Sequence, residues 1–134
     1  MNMLRAAAMV LTALLWCTPI AVRAGDGAEI LVQVSLTAGL RYHEAKAVWD
    51  QMQVGDTLML VREPENPFDA RAVRVEWNGH MLGYIPRTEN QAVARQMDRG
   101  NPLQARVAKL TYYRNHRRKL EFEVFLPLQS VNGN

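Results

Sequence analysis

The residues best equipped for chemistry crowd one short loop, Glu63-Pro64-Glu65-Asn66-Pro67-Phe68-Asp69, in which three carboxylates, an amide and an aromatic ring alternate with two prolines. Carboxylates at that density are the equipment of acid–base hydrolysis, as in glycoside cleavage. In a proline-stiffened loop the same acids also serve as solvated turn formers, with Asp capping nearby backbone amides. A second concentration is Arg114-Asn115-His116-Arg117-Arg118-Lys119, four cations in six residues, preceded by Tyr112 and Tyr113. Such a run tracks a nucleic-acid backbone or another anionic surface, or it forms a solvated hairpin tip whose charge blunts a strand edge. His43, His80 and His116 are far apart and none forms a pair with ligand spacing, so no metal is expected. The glycine-rich phosphate loop of nucleotide hydrolases is absent, and no Ser or Thr is singled out with a base and an orienting acid. The expectation is a binding module without cofactor.

The elements that must position these residues are mostly strands. Ile30, Val32, Val34 and Leu36 alternate with Leu31, Gln33 and Ser35, the period of a strand with one buried face. Between Tyr42 and Gln53 the spacing of Ala45, Val48, Trp49 and Met52 changes to that of a short amphipathic helix, with Trp49 in the core. Thr57 to Arg62 reads as a second strand, and the proline loop follows. Ala70 to Trp77 alternates again, and Asn78-Gly79 is the strongest short-range signal for a hairpin, with His80 to Ile85 returning. Trp77 takes a core position. Thr88 and Gln91 have capping-box spacing ahead of a helix of about three turns ending at Gly100. Leu103 to Tyr113 and Leu120 to Leu126 complete the set. The predicted fold is mainly β, a small six-stranded antiparallel barrel of the oligonucleotide-binding type with two short helices.

Charge and targeting narrow the possibilities further. Met1 to Ala24 carries Arg5, an apolar run from Ala6 to Trp16, Pro19 and the small-residue end Val22-Arg23-Ala24, the layout of a secretory signal peptide cleaved after Ala24. The run falls short of the roughly 20 apolar residues of a membrane anchor, and Trp16 precedes Cys17 where lipoprotein processing requires a small residue. Cleavage would remove Arg5 and Arg23, so the 16 basic residues fall to 14 against 13 acidic ones and the net charge from +3 to +1. It would also remove Cys17, the chain's single cysteine, and with it any disulfide or thiol chemistry in an oxidising compartment. A periplasmic or secreted domain is expected, with residues 25–29 a linker, 30–127 the folded domain and 128–134 a flexible tail.

The string Leu60-Val61-Arg62-Glu63-Pro64-Glu65-Asn66-Pro67-Phe68-Asp69-Ala70-Arg71-Ala72-Val73-Arg74-Val75, with Gly79 and then Leu82-Gly83-Tyr84-Ile85-Pro86-Arg87, resembles the signature of the HIRAN domain family. Gly39-Leu40-Arg41-Tyr42-His43 fits that family's first turn, and the resemblance spans Ile30 to Leu126. It implies an oligonucleotide-binding-like barrel and, as in the HIRAN domains attached to Swi/Snf-type DNA translocases, binding of single-stranded DNA at a free 3′ end. Matched by motif, the implied pocket falls on Arg41, Tyr42, Phe68 and Asp69, with Tyr84 and Arg87 nearby. Hydrolase or zinc activity is a weaker implication, since it belongs to motor and zinc modules that accompany the domain in related chains.

Each of these residue types suits the implied role. Tyr42 and Phe68 can stack bases, Asp69 can accept a hydrogen bond from a terminal hydroxyl, and Arg41 and Arg87 can hold phosphates. Arg114, Arg117, Arg118 and Lys119 are candidates for further backbone contacts. Simpler structural roles stand beside these: Phe68 as a plug in the barrel's end, Asp69 as a cap of its own loop, and Tyr84 as core unless Gly83 sits in a bulge. An extracytoplasmic module that binds a protein or envelope polymer through the same face is the second functional reading.

Overall fold

In the computed structural model, which describes residues 27–128, six antiparallel strands form one sheet in the order β1-β6-β5-β2-β3-β4. The strands are β1 (Glu29–Leu36), β2 (Thr57–Glu63), β3 (Ala72–Trp77), β4 (His80–Tyr84), β5 (Gln104–Tyr112) and β6 (Arg118–Pro127). Two short helices, α1 (Ala45–Val48) and α2 (Gln91–Asp98), join them, with single 3-10 turns at Leu40–Tyr42 and Trp49–Gln51. The expected signal segment 1–24 and the tail beyond Leu128 lie outside the described residues. The mainly β class is as the sequence indicated, but the sheet is not a closed barrel. Its edges, β1 and β4, are joined by one isolated bridge, Ala38 to Tyr84, whose two hydrogen bonds are 2.8 and 3.0 Å.

The core follows from the alternation. Val73 and Val75 of β3, Leu82 of β4, and Phe122 and Val124 of β6 are wholly buried, and Val107 of β5 almost so. Ala45, Val48, Trp49 and Met52 pack on them from the α1 side, as the helical spacing predicts. Trp77 is buried too, and its indole N–H donates to Asp56 at 3.0 Å. The hairpin turns on Asn78 and Gly79, both at positive φ (45° and 80°), the backbone of a type I′ turn.

Three expectations are corrected by the structure. In β1, Ser35 is buried while Ile30, Leu31, Val34 and Leu36 are exposed, the reverse of the face read from sequence. Pairing with β6 slips by one residue between Leu31 and Gln33, which flips the facing of every later residue. The buried Ser35 hydroxyl is satisfied, since it donates to Glu89 at 2.8 Å and accepts from Gln33 at 2.7 Å. In β4 a bulge leaves Leu82 between Met81, paired with Glu76, and Gly83, paired with Val75. Tyr84 therefore stands opposite Arg74, off the buried face of Val73 and Val75. Finally, α2 starts at Gln91 and has only eight residues, and Asn90 rather than Thr88 precedes it. Thr88 lies in a turn closed by the Glu89 amide on the Pro86 carbonyl at 2.8 Å, and the Asn90 side chain is spent elsewhere.

Candidate functional site

The proline loop is organised by Asn66. Its side-chain oxygen accepts the amides of Phe68 (2.9 Å) and Asp69 (3.2 Å), and its NH₂ donates to Glu63 at 3.0 Å. Asn before Pro is a turn-initiating pair, and here it curls the chain so that the next side chains point outward. Phe68 is 84% exposed, so it plugs nothing. A large aromatic ring in water at that level is poised for a partner.

Asp69 caps its own loop, accepting the Arg71 amide at 2.9 Å, and also accepts the Asn90 side-chain NH₂ at 2.6 Å. That second bond is where Asn90's capping capacity goes. The Arg71 amide chiefly holds the Asp69 carboxyl below its ordinary value; partial burial opposes this, and the Asn90 bond and the Arg87 and Arg71 charges reinforce it. Each carboxylate oxygen keeps acceptor capacity, because it takes only one of these two bonds.

Behind the loop, Glu63 accepts the Arg74 guanidinium (2.6 Å) and the Tyr84 hydroxyl (3.0 Å) besides Asn66. Desolvation pushes its carboxyl up, but these three donors outweigh it and leave the group below its ordinary value. The same contact fixes the Tyr84 ring, whose hydroxyl is pushed up by burial and by its bond to Glu63. Glu63 and Asp69 are thus charged acceptors at neutral pH, suited to receiving hydrogen bonds and poorly suited to donating a proton. The result is a cleft of about 400 Å³, open to solvent, lined by Ala38, Asn66, Phe68, Asp69, Ala72, Tyr84, Ile85 and Arg87.

A groove of about 850 Å³ adjoins it across the chain at Thr37 and Ala38, one of which lines each depression. Arg41 and Tyr42 lie here, with Thr37, Lys46, Tyr112, His116, Arg117 and Arg118. The Arg41 guanidinium covers the Tyr42 ring at 4.5 Å and donates to its hydroxyl. The His43 ring meets the Tyr84 ring edge-on at 6.1 Å and so spans the ridge between the depressions.

Residues 30–129 match the HIRAN domain model. The chain belongs to the HIRAN domain family. It is similar to a structural-genomics protein from Lactobacillus plantarum, at 30% identity and a TM-score of 0.62 over 74% of this chain and 97% of that one. The HIRAN domain of human HLTF shares its fold, at 22% identity and a TM-score of 0.52 over 77% of this chain and 84% of that one. A Fanconi-associated nuclease 1 homolog from Oryza sativa subsp. japonica is 32% identical over 78 residues, 55% of this chain. The match spans only 8% of that nuclease's length.

In this HIRAN domain the sequence-predicted residues divide. Phe68, Asp69, Tyr84 and Arg87 come together in the cleft, whereas Arg41 and Tyr42 line the groove with Arg117 and Arg118. Arg114 and Lys119 line neither, and both are exposed on the β5–β6 hairpin. Sequence reasoning missed Asn66 and Asn90 as supports of the cleft, and Lys46 in the groove. Asn66-Pro67 was the available signal for the first; nothing local announces the pairing of Asn90 with Asp69 across 21 residues. Among the described residues no group of three His, Cys, Asp or Glu is placed to hold a metal ion.

Proposed function

We propose that this HIRAN domain binds single-stranded DNA, without catalysis, by taking a free 3′ end into the cleft of Phe68, Asp69, Tyr84 and Arg87. HIRAN domains bind nucleic acid, and that general role is the frame for the finer reading. The observation that carries it is the pairing of an 84% exposed Phe68 with a charged, partly unspent Asp69 carboxylate in one cleft. A base stacks on Phe68, worth about 1 to 3 kcal/mol. The terminal 3′-hydroxyl donates to Asp69, and Arg87 neutralises the phosphate on its 5′ side.

Asp69 also supplies selectivity. A strand continuing past this point, or ending in phosphate, brings a second negative charge against the carboxylate. Two like charges 4 Å apart repel by about 1 kcal/mol in bulk water and about 4 kcal/mol at an effective dielectric of 20. That disfavours an internal or blocked end by between about fivefold and about a thousandfold. With a net charge of +1 after loss of residues 1–24, long-range attraction contributes little and local contacts dominate. The n-region, apolar run and small-residue end of residues 1–24 support action outside the cytoplasm, on extracellular or periplasmic DNA.

The test is to follow backbone amide shifts by NMR while titrating a thymidine dinucleotide with a free 3′-hydroxyl. The reading requires shifts centred on Phe68, Asp69, Tyr84 and Arg87. Shifts confined to the exposed face of β1, or none at millimolar ligand, would reject it.

A further inference from the structure

The groove beside the cleft contains an arginine held in place but given nothing to bind. The Arg118 guanidinium lies 5.0 Å from the Tyr112 ring centroid and 5.9 Å from that of Trp49, wedged between an exposed and a buried aromatic. None of the ion pairs among the described residues includes it. Its Nε is buried with no hydrogen-bond partner, and so is the hydroxyl oxygen of Thr37, which lines the same groove. Buried polar atoms almost always find partners, and each orphan costs about 1 to 3 kcal/mol. Two of the three orphans among the described residues line this one groove, which points to a ligand with acceptor oxygens.

Charge says which acceptor. No carboxylate lines the groove, while Arg41, Lys46, Arg117 and Arg118 all do. The neighbouring cleft is the opposite case, with Asp69 at its wall. A carboxylate-bearing cleft suits an uncharged hydroxyl end; an acid-free groove suits an anion. An arginine fork clamped between rings has already lost its rotamer freedom, so it binds a phosphate with little further entropic cost.

We propose that this groove is a receptor for an internal phosphodiester of the same DNA strand, with the Arg118 guanidinium as its fixed fork and the Thr37 hydroxyl as a second donor. The inference rests on the end-binding reading for which terminus lies in the cleft. It adds that the strand crosses the ridge at Ala38 and Gly39 and continues towards the β5–β6 hairpin. The footprint then exceeds a terminal dinucleotide and reaches at least about four nucleotides, the lower end of single-strand site sizes on such folds. Tyr42, 70% exposed on the groove's rim, offers a ring for a base on this second stretch.

The experiment measures by anisotropy the affinities of labelled oligothymidylates of two and eight nucleotides, each with a free and a phosphorylated 3′ end. Wild-type protein and the variants Arg118→Gln, Arg118→Lys and Thr37→Val are compared after their thermal melts. The wild-type octamer binds at least tenfold tighter than the dinucleotide, and Arg118→Gln cuts that ratio by about tenfold. The octamer's salt dependence, as a slope of log K on log[salt], falls by about 0.7. Arg118→Lys, which keeps the charge but not the fork, recovers the slope and only part of the ratio; it also serves if Arg118→Gln folds poorly. Equal affinity for the two lengths, or an unchanged ratio in Arg118→Gln, overturns the groove inference even if end preference holds. Length dependence without end preference overturns the cleft reading and leaves the groove standing.

Discussion

Replacing Gly83 by alanine strikes the one point where the open sheet's edges meet. Gly83 has φ 152°, and a Cβ built there would lie 2.2 Å from the Ala38 carbonyl oxygen and 2.8 Å from the Thr37 Cγ2. The first contact is with backbone, so no side-chain rotation relieves it. The chain at Thr37 and Ala38 must withdraw, which breaks the two hydrogen bonds between Ala38 and Tyr84. At about 0.5 to 1.5 kcal/mol each, those bonds account for about 1 to 3 kcal/mol. The strained φ adds about 1 kcal/mol or more. A loss of about 2 to 4 kcal/mol follows, which lowers Tm by 10 °C or more at about 4 to 8 °C per kcal/mol for a domain of this size. Urea unfolding followed by tryptophan fluorescence measures it. The cleft and the groove share this ridge, so the variant also binds DNA more weakly. A variant within about 0.5 kcal/mol of wild type, the usual range for neutral surface changes, would refute the idea that the Ala38–Tyr84 bridge holds the edges together.

Other perturbations separate binding from stability. Phe68→Ala should leave urea stability within about 0.5 kcal/mol of wild type, because the ring is exposed. It should weaken single-stranded DNA binding by about 1 to 3 kcal/mol by anisotropy. Tyr84→Phe removes one donor from Glu63 and should cost about 0.5 to 1.5 kcal/mol in the same unfolding assay. Glu63 has a folded pKa below its unfolded one, so its contribution is complete above the ordinary value near 4.5 and is lost as pH falls through the folded pKa. Acid unfolding of wild type should therefore steepen below that pH, and Glu63→Gln should be less stable at pH 7 yet less sensitive to acid. A parallel pH dependence in the two proteins would show that Glu63 is not responsible.

What the sequence disclosed, and what it hid, divides along the range of the interactions. The Asn78-Gly79 hairpin and the burial of Val73, Val75 and Trp77 were legible because turn chemistry and alternation are local. The bulge at Leu82 was not, since a bulge is a property of pairing with Glu76 and Val75 rather than of β4 alone. The same holds for β1, where a slip against β6 turned Ser35 inward and a carboxylate 54 residues away satisfied it. Apolar residues on its outer face gave a misleading alternation. The helix start was misread because Asn90, a good capping residue, forms a tertiary bond to Asp69 instead. Motif resemblance brought Phe68, Asp69, Tyr84 and Arg87 to one cleft, but Arg41 and Tyr42 line the adjoining groove, and only the fold shows the ridge at Ala38 that divides them.

The central claim is that Asp69 makes the cleft prefer a free 3′-hydroxyl. Its most direct test is a cycle of four affinities by anisotropy: wild type and Asp69→Asn, each with an octathymidylate bearing a free or a phosphorylated 3′ end. Wild type should favour the free end by at least about fivefold, the lower bound set by like-charge repulsion in water. Asp69→Asn removes the negative charge and should bring the two ends within about twofold, a difference under 0.5 kcal/mol. Equal affinity for both ends in wild type, or a preference that survives in Asp69→Asn, would contradict the account.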